Sequence, residues 1–125
     1  MMAVSTVNIL SIVLFFIFVS QGYSQCSLKD LSVSQSATGV KVQGKEEWSV
    51  TIINKCPCVQ KNVLLDCKGF QSVERINPAV FKVSKNGCIV NNGEAVYRDA
   101  VKFKYAWDHQ FPLNPISSDV FCSSI

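Results

Sequence analysis

Apolar and polar side chains alternate through the segment Val101-Lys102-Phe103-Lys104-Tyr105-Ala106-Trp107. Successive side chains of a β-strand point to opposite faces of the sheet, so this pattern is typical of a strand with one buried face. The same alternation recurs in four earlier segments, which are centred on Leu31 and Val33, on Trp48 to Ile52, on Val63 and Leu65, and on Phe81 and Val83. The chain is therefore predicted to be built from strands, and no segment shows the apolar spacing of a helix.

Turn signals separate these apolar runs. Asn86-Gly87 and Asn92-Gly93 are dipeptides that accept positive φ angles and favour tight hairpins. Residues 81–107 are therefore predicted to form a three-strand meander with turns at the two dipeptides. Short strands with closely spaced turns predict an all-β fold, namely a small disulfide-stapled antiparallel β-sandwich, with a small β-barrel as the alternative.

The chain contains six cysteines, which are Cys26, Cys56, Cys58, Cys67, Cys88 and Cys122. An even number of cysteines in a short domain is typical of a disulfide framework. Three disulfides are therefore predicted and their pairing is left open, although Cys56 and Cys58 are too close in sequence to pair with each other without strain. The alternative is a zinc site that uses Cys56-Pro57-Cys58 as a ligand pair, but structural zinc sites usually separate such ligands by about two to four residues. No metal and no other cofactor is expected.

The first residues of the chain differ in kind from the rest. No acidic or basic side chain precedes Lys29, and residues 9–19 are almost entirely apolar. A membrane-spanning helix needs about 20 apolar residues, so this shorter run is typical of the centre of a signal peptide. Cleavage is predicted after Ser24, which makes residues 1–24 the signal peptide and residues 25–125 a single secreted, cysteine-rich β domain. An uncleaved membrane anchor is the alternative.

The net charge is +3, and the basic residues are spread along the chain. This charge is too small and too dispersed to predict a nucleic-acid partner, but it allows attraction to an acidic polysaccharide or to an acidic protein surface. Contact with a membrane is expected only through the signal peptide before cleavage.

Catalytic groups are sparse. The one histidine is His109, and its neighbour Asp108 is too close in sequence to orient it as the third member of a catalytic triad. Glu46 and Glu47 are adjacent and would face opposite sides of a strand, so they do not form the carboxylate pair of a glycoside hydrolase. The chain is therefore predicted not to be an enzyme.

Basic and aromatic side chains near the last part of the chain predict a partner surface. Lys102 and Lys104, with Arg98 at the same parity, are expected to line an exposed strand face, and a surface that serves only solubility is the alternative. Tyr105 and Trp107 are expected at the rim of the sheet, where large aromatic side chains anchor protein interfaces.

Aromatic residues also raise a second interpretation. If these aromatic side chains were exposed on one face of a sheet, sugar rings could stack on them. The residues of such a sugar-binding platform would be Trp48, Tyr97, Phe103, Tyr105 and Trp107. Because they stand on the apolar parity of their strands, the core is the favoured location for Trp48 and Phe103, and also for Tyr105 and Trp107, for which the rim of the sheet is the alternative.

Several motifs follow one another along the chain. They lie at residues 31–39, at 47–58 with Gln60, at 63–70, at 88–93 and at 103–108, followed by Phe111-Pro112 and Cys122. The second motif reads Glu47-Trp48-Ser49-Val50-Thr51-Ile52-Ile53-Asn54-Lys55-Cys56-Pro57-Cys58. In this order the motifs resemble the tapetum determinant-like family of small secreted plant proteins, and the resemblance covers residues 26–122.

The resemblance implies a function in signalling. It implies a secreted protein of the apoplast that acts as the ligand of a leucine-rich-repeat receptor kinase, in plant cell-fate specification of the anther and tapetum type. The cysteines and the strand cores would be its scaffold, and a receptor-kinase ectodomain would be its partner. The alternative function is a cell-wall polysaccharide-binding module of sandwich form.

Overall fold

The structure is a computed structural model, and it describes residues 26–122. The predicted signal peptide, residues 1–24, lies outside the described residues and stays a prediction. Within residues 26–122, no helix has both the length and the apolar character that a membrane span requires.

Strands and two short 3₁₀ turns make up the regular structure of the described residues. The 3₁₀ turns are Leu28–Asp30 and Asn91–Gly93. The strands are β1 (Leu31–Val42), β2 (Lys45–Asn54), β3 (Val59–Leu65), β4 (Phe81–Ser84), β5 (Gly87–Val90), β6 (Val101–Trp107) and β7 (Pro115–Phe121). The predicted all-β fold is confirmed.

The first sheet has the strand order β1-β2-β6, and both pairings are antiparallel. In its register Trp48 lies opposite Tyr105, and Val50 lies opposite Phe103. The apolar parity of β2 therefore matches the apolar parity of β6, so these side chains share the inner face of the sheet.

The free edge of β6 is covered by a loop. The backbone N–H of Val73 donates to the carbonyl oxygen of Ala106 at 3.0 Å, and the N–H of Ala106 donates to Oγ of Ser72 at 3.0 Å. Ala106 is fully buried as a result. The loop thus protects an edge that would otherwise present unpaired backbone groups.

The second sheet has the strand order β4-β5-β3-β7, again with antiparallel pairings. The predicted hairpin at Asn86-Gly87 is confirmed, because Ser84 pairs with Gly87 across the turn between β4 and β5. Gly87 has φ +147°, and a Cβ atom at this position would meet the carbonyl oxygen of Leu65 at 2.9 Å. Only glycine fits here without a shift of the backbone.

The predicted meander over residues 81–107 is wrong in its second half. Asn91, Asn92 and Gly93 all have positive φ angles and form a 3₁₀ turn instead of a hairpin loop. The chain then leaves the second sheet, and β6 pairs with β2 in the first sheet. The reason lies in the pairing surface, because β2 offers β6 a partner with a matching apolar face.

The core lies between the two sheets. The rings of Phe81 and Phe103 stack across the interface with a centroid distance of 4.4 Å. Phe70, from the loop between β3 and β4, packs edge-on against Phe81 at 5.0 Å and Tyr105 at 5.2 Å. Burying a large apolar side chain contributes about 1.5–3 kcal/mol, so this aromatic cluster is a major source of stability. The predicted sandwich is confirmed, and over residues 26–122 the sheets do not close into a barrel.

Three disulfides join the elements of the described chain. Cys26 pairs with Cys56, Cys58 pairs with Cys122, and Cys67 pairs with Cys88. The first closes the end of the β1–β2 hairpin, the second joins the start of β3 to the end of β7, and the third links the end of β3 to β5. The pairing that the sequence left open is thereby assigned.

Candidate binding surfaces

A buried network of amide side chains supports the end of the sandwich where two disulfides meet. Nδ2 of Asn54 donates to the carbonyl oxygens of Cys58 and Val96, at 2.9 Å each. Oδ1 of Asn54 accepts from the backbone N–H of Cys56 at 3.0 Å and from Nε2 of Gln60 at 3.2 Å. Asn54 and Gln60 are almost fully buried. Buried amides that satisfy their hydrogen bonds hold a single arrangement, so this network fixes the Cys56-Pro57-Cys58 loop.

The same network fixes the segment before β6. Val96 is buried, its N–H donates to the carbonyl oxygen of Gln60 at 2.7 Å, and its own carbonyl oxygen accepts from Asn54. The next two residues, Tyr97 and Arg98, are exposed, and the Tyr97 side chain is 59% accessible. With Pro57 they border a depression of about 310 Å³. We call this region the disulfide-end surface and define it by Pro57, Tyr97, Arg98 and Asp99.

The predicted partner surface is only partly brought together. Lys102 and Lys104 are exposed on the outer face of the first sheet, as predicted. Arg98 is exposed but precedes β6, so it belongs to the disulfide-end surface and not to the strand face. Trp107 is half-buried against the core, and Nζ of Lys45 lies 5.3 Å from the centre of its ring.

The structure buries Tyr105 completely, in the core location that the apolar parity of β6 favoured, and this contradicts its place in the predicted partner surface. Its hydroxyl donates to Oε1 of Gln35 at 2.6 Å and accepts from the N–H of Phe111 at 3.0 Å. Burial raises the pKa of the Tyr105 hydroxyl, and the hydrogen bond from Phe111 acts in the opposite direction. Tyr105 is therefore a core residue that ties β6 to β1 and to the segment after β6.

An exposed aromatic sugar-binding platform is not assembled. Phe103 is buried like Tyr105, and Trp48 is half-buried against the same core. Tyr97 is exposed at the disulfide end, apart from these residues. The core interpretation favoured for Trp48 and Phe103 is confirmed.

The outer face of the first sheet carries hydroxyl groups and lysines. We call it the hydroxyl face and define it by Ser34, Ser36, Ser49, Thr51, Lys102 and Lys104. All six side chains are exposed or half-exposed, and they stand on the parity opposite to the buried Val50, Ile52 and Phe103. Among the described residues, the four hydroxyls have no hydrogen-bond partner.

A pair of carboxyl groups lies at one end of the hydroxyl face. Burial raises the pKa of Glu74 to about 7, and its hydrogen bond with Glu47 and the negative charge of Glu47 act in the same direction. The hydrogen bonds from Glu74 and from Thr38 lower the pKa of Glu47. In the pH range between the lowered pKa of Glu47 and the raised pKa of Glu74, the pair therefore holds one proton, with Glu74 as the donor and Lys104 nearby as a favourable charge.

The outer face of the second sheet has a different character. Phe121 in β7 is 52% accessible, and Nζ of Lys61 lies 5.1 Å from the centre of its ring. Nδ2 of Asn62 donates to Oδ2 of Asp119 at 2.9 Å, so polar side chains on this face are engaged with each other.

Comparison with known protein families gives a match that covers most of the chain. The family described as tapetum determinant 1, C-terminal, matches residues 27–123. This chain belongs to the tapetum determinant 1 family. The family resemblance inferred from the motif order is confirmed, and the motif from Asn54 to Gln60 has a structural explanation because both amides belong to the buried network.

Proteins similar to this family member come from two plants. TPD1 protein homolog 1 of Arabidopsis thaliana is 30% identical over 100 residues, which is 77% of this chain and 56% of that protein. TPD1 protein homolog 1B of Oryza sativa subsp. japonica is 32% identical over 91 residues, which is 70% of this chain and 54% of that protein. An uncharacterized protein of Arabidopsis thaliana is 33% identical over 103 residues, which is 78% of this chain and 80% of that protein. This family member thus spans about half the length of the two TPD1 homologues. No solved structure matches it.

The zinc alternative does not fit the disulfide end of this family member. The sulfur atoms of Cys26, Cys56 and Cys58 lie within 4.8 Å of one another, which is the kind of grouping a metal site requires. All three cysteines are joined in disulfides, however, and zinc is bound by thiolates. The cluster is therefore two adjacent disulfides.

Sequence patterns missed the residues that organise the disulfide end. Asn54 stands on the apolar parity of β2 with Val50 and Ile52, and an amide at such a position is a signal of a buried hydrogen-bond network. Tyr97 lies in a loop between β5 and β6, where the alternation of a strand cannot predict whether a side chain is buried. Its exposure follows from the tertiary contacts of Val96.

Proposed function

We propose that this protein is a secreted signalling protein of the plant apoplast and the ligand of a leucine-rich-repeat receptor kinase. Membership in the tapetum determinant 1 family is the observation that carries the proposal. A role in cell-fate specification, of the kind found in anther development, follows from the same family relationship. Three disulfides in a small β domain are consistent with an extracellular protein and with the predicted signal peptide.

The disulfide-end surface is the proposed receptor contact. Tyrosine and arginine are the residue types that most often carry the binding energy of protein interfaces. Tyr97 and Arg98 are exposed next to a segment that is held by two disulfides and by the buried amides of Asn54 and Gln60. A surface that is already rigid loses little conformational entropy on binding, which favours high affinity.

Binding, and not substrate turnover, is the proposed activity. Oδ1 of Asp108 accepts a hydrogen bond from Nζ of Lys45 at 2.7 Å, so this carboxylate is engaged away from His109. His109 is exposed and contacts the ring of Phe111. These placements support the prediction that His109 does not act as a catalytic base.

A binding screen tests the proposal. The secreted protein is titrated calorimetrically against a panel of purified leucine-rich-repeat receptor-kinase ectodomains. Saturable binding to at least one ectodomain, with one ligand molecule per site, is the expected result. Retention on insoluble wall glycans with no binding to any ectodomain of the panel would contradict it and would favour the polysaccharide-binding alternative.

A further inference from the structure

The hydroxyl face is a second surface that the proposed receptor contact does not use. It lies on the outer side of the first sheet, whereas Tyr97 and Arg98 belong to the loop before β6. We propose that the hydroxyl face binds an acidic polysaccharide, a chain of sugars that carry carboxylates. This inference goes beyond the receptor-ligand function and does not depend on it.

The register of the first sheet arranges the face in two rows that run across the three strands. The first row is Ser36, Ser49 and Lys104, and the second is Ser34, Thr51 and Lys102. Neighbouring strands lie about 4.8 Å apart, so each row spans about 10 Å. The rows are two residues apart along the strands, which separates them by about 6.7 Å. Each row therefore offers two hydroxyls and one ammonium group in the same order.

The chemistry of the rows matches that of an acidic sugar. A hydroxyl both donates and accepts hydrogen bonds, as the hydroxyls of a sugar ring do. An ammonium group forms a charge-assisted hydrogen bond with a carboxylate. The four hydroxyls make no hydrogen bond within the described part of the chain, so a ligand would compete only with water for them.

The makeup of the face favours charged sugars over neutral ones. Neutral sugars are commonly held by stacking on exposed aromatic rings, but Phe103 and Tyr105 of this sheet point into the core. Of the acidic side chains at this face, Glu47 stands opposite Ala106, outside the two rows, and Glu74 borders a depression together with Lys102 and Lys104. A hydrogen bond joins the carboxyl groups of Glu47 and Glu74. Lys102 forms no ion pair among the described residues, so its ammonium group is available to a ligand.

Calorimetric titration with two related polymers tests the charge requirement without any variant. The secreted protein is titrated with polygalacturonate and with its fully methyl-esterified form. Binding to polygalacturonate, at least about tenfold tighter than to the ester, is expected because the ester has no carboxylate for the lysines. Equal binding of the two polymers, or no binding of either, would overturn the proposal.

Matched variants locate the site. Lys102→Gln/Lys104→Gln is expected to weaken binding of polygalacturonate about tenfold or more. The control is Lys61→Gln/Lys82→Gln, which removes the same charge from the second sheet and is expected to change affinity by less than about twofold. An equal loss in both double variants would show attraction to net charge alone and would overturn the proposal.

A further comparison separates a polysaccharide from an acidic protein. Ser49→Ala/Thr51→Val keeps both lysines and is expected to weaken binding of polygalacturonate about threefold or more. Polyglutamate, which supplies carboxylates without sugar hydroxyls, is expected to bind more weakly than polygalacturonate. Unchanged affinity of the hydroxyl variant, or equal binding of polyglutamate, would contradict the assignment to a polysaccharide.

Discussion

The two sheets of the sandwich reach stability by different means. The first sheet has long strands, with β1 spanning 12 residues and β2 spanning 10. The second sheet includes two strands of four residues each, β4 and β5. Two of the three disulfides, Cys58–Cys122 and Cys67–Cys88, are attached to the second sheet. The four-residue strand β5, which is too short for a long hydrogen-bonded ladder, is thus joined covalently to the end of β3.

Removing one disulfide from each sheet in turn is the strongest test of this difference between the sheets. Cys67→Ala/Cys88→Ala is expected to lower the free energy of unfolding by about 2–5 kcal/mol, because Cys88 is fully buried and links β3 to the short β5. Urea unfolding of the secreted protein measures the loss, and reduced secretion is expected to accompany it.

The matched control is Cys26→Ala/Cys56→Ala in the first sheet. Its loss is expected to be smaller, since the β1–β2 ladder already pairs Leu31 with Asn54 beside this disulfide. Chain entropy alone predicts the reverse order, because the sequence separation is 30 residues for Cys26–Cys56 and 21 for Cys67–Cys88. A larger loss in the control would show that loop length outweighs strand length here.

A single hydroxyl tests the burial of Tyr105. Tyr105→Phe leaves Oε1 of Gln35 and the N–H of Phe111 without their partner, and is expected to destabilise the fold by about 1–3 kcal/mol. Tyr97→Phe is the control, and its stability is expected to change by less than about 0.5 kcal/mol because Tyr97 is exposed. Equal effects in thermal or urea unfolding would argue against the assignment of Tyr105 to the core.

The smallest expected effect concerns pH. The pKa of Glu74 is raised from 4.5 to about 7 in the folded protein, so between these values the folded state holds a proton that the unfolded state releases. Stability contributed by Glu74 is therefore full below about pH 4.5 and falls as the pH rises to about 7. Glu47 has a lowered pKa, so its contribution is present above 4.5 and is lost only as the pH falls below that value.

Glu74→Gln isolates this effect. The amide can donate to Glu47 at every pH, so the slope of stability between about pH 4.5 and 7 is expected to flatten. Urea midpoints at several pH values measure the slope, and Glu94→Gln serves as the control because Glu94 is exposed. An unchanged slope in Glu74→Gln would contradict the claim that Glu74 and Glu47 share a proton.

Periodicity predicted the first sheet more accurately than the second. Strand β6 was recognisable because its alternation is long and one face is uniformly apolar, and the same holds for β2. The partner of β6 was predicted wrongly, because a local turn signal at Asn92-Gly93 says nothing about which distant strand offers a matching face. Pairing between distant strands depends on the whole core and is not encoded in a short window.

The candidate surfaces show the same limit. Lys102 and Lys104 were placed correctly because strand parity alone decides the face on which they stand. Parity also favoured the core for Tyr105, which shares a face with Phe103, but it could not reveal the hydrogen bonds of the Tyr105 hydroxyl with β1 and with the segment after β6. The importance of Tyr97 arises from the buried amides of Asn54 and Gln60, which meet only in the folded chain.

The most direct test of the account is the affinity of a receptor-kinase ectodomain for variants of the disulfide-end surface. With an ectodomain identified by the binding screen, Tyr97→Ala/Arg98→Ala is expected to weaken binding by at least about 30-fold, as removal of central interface anchors does. Val83→Ala/Arg75→Ala, which removes an exposed apolar side chain and another exposed arginine away from the disulfide end, is expected to stay within about threefold of the unmodified protein. Unchanged affinity of the first variant, or an equal loss in the second, would contradict the claim that the disulfide end is the surface read by the receptor.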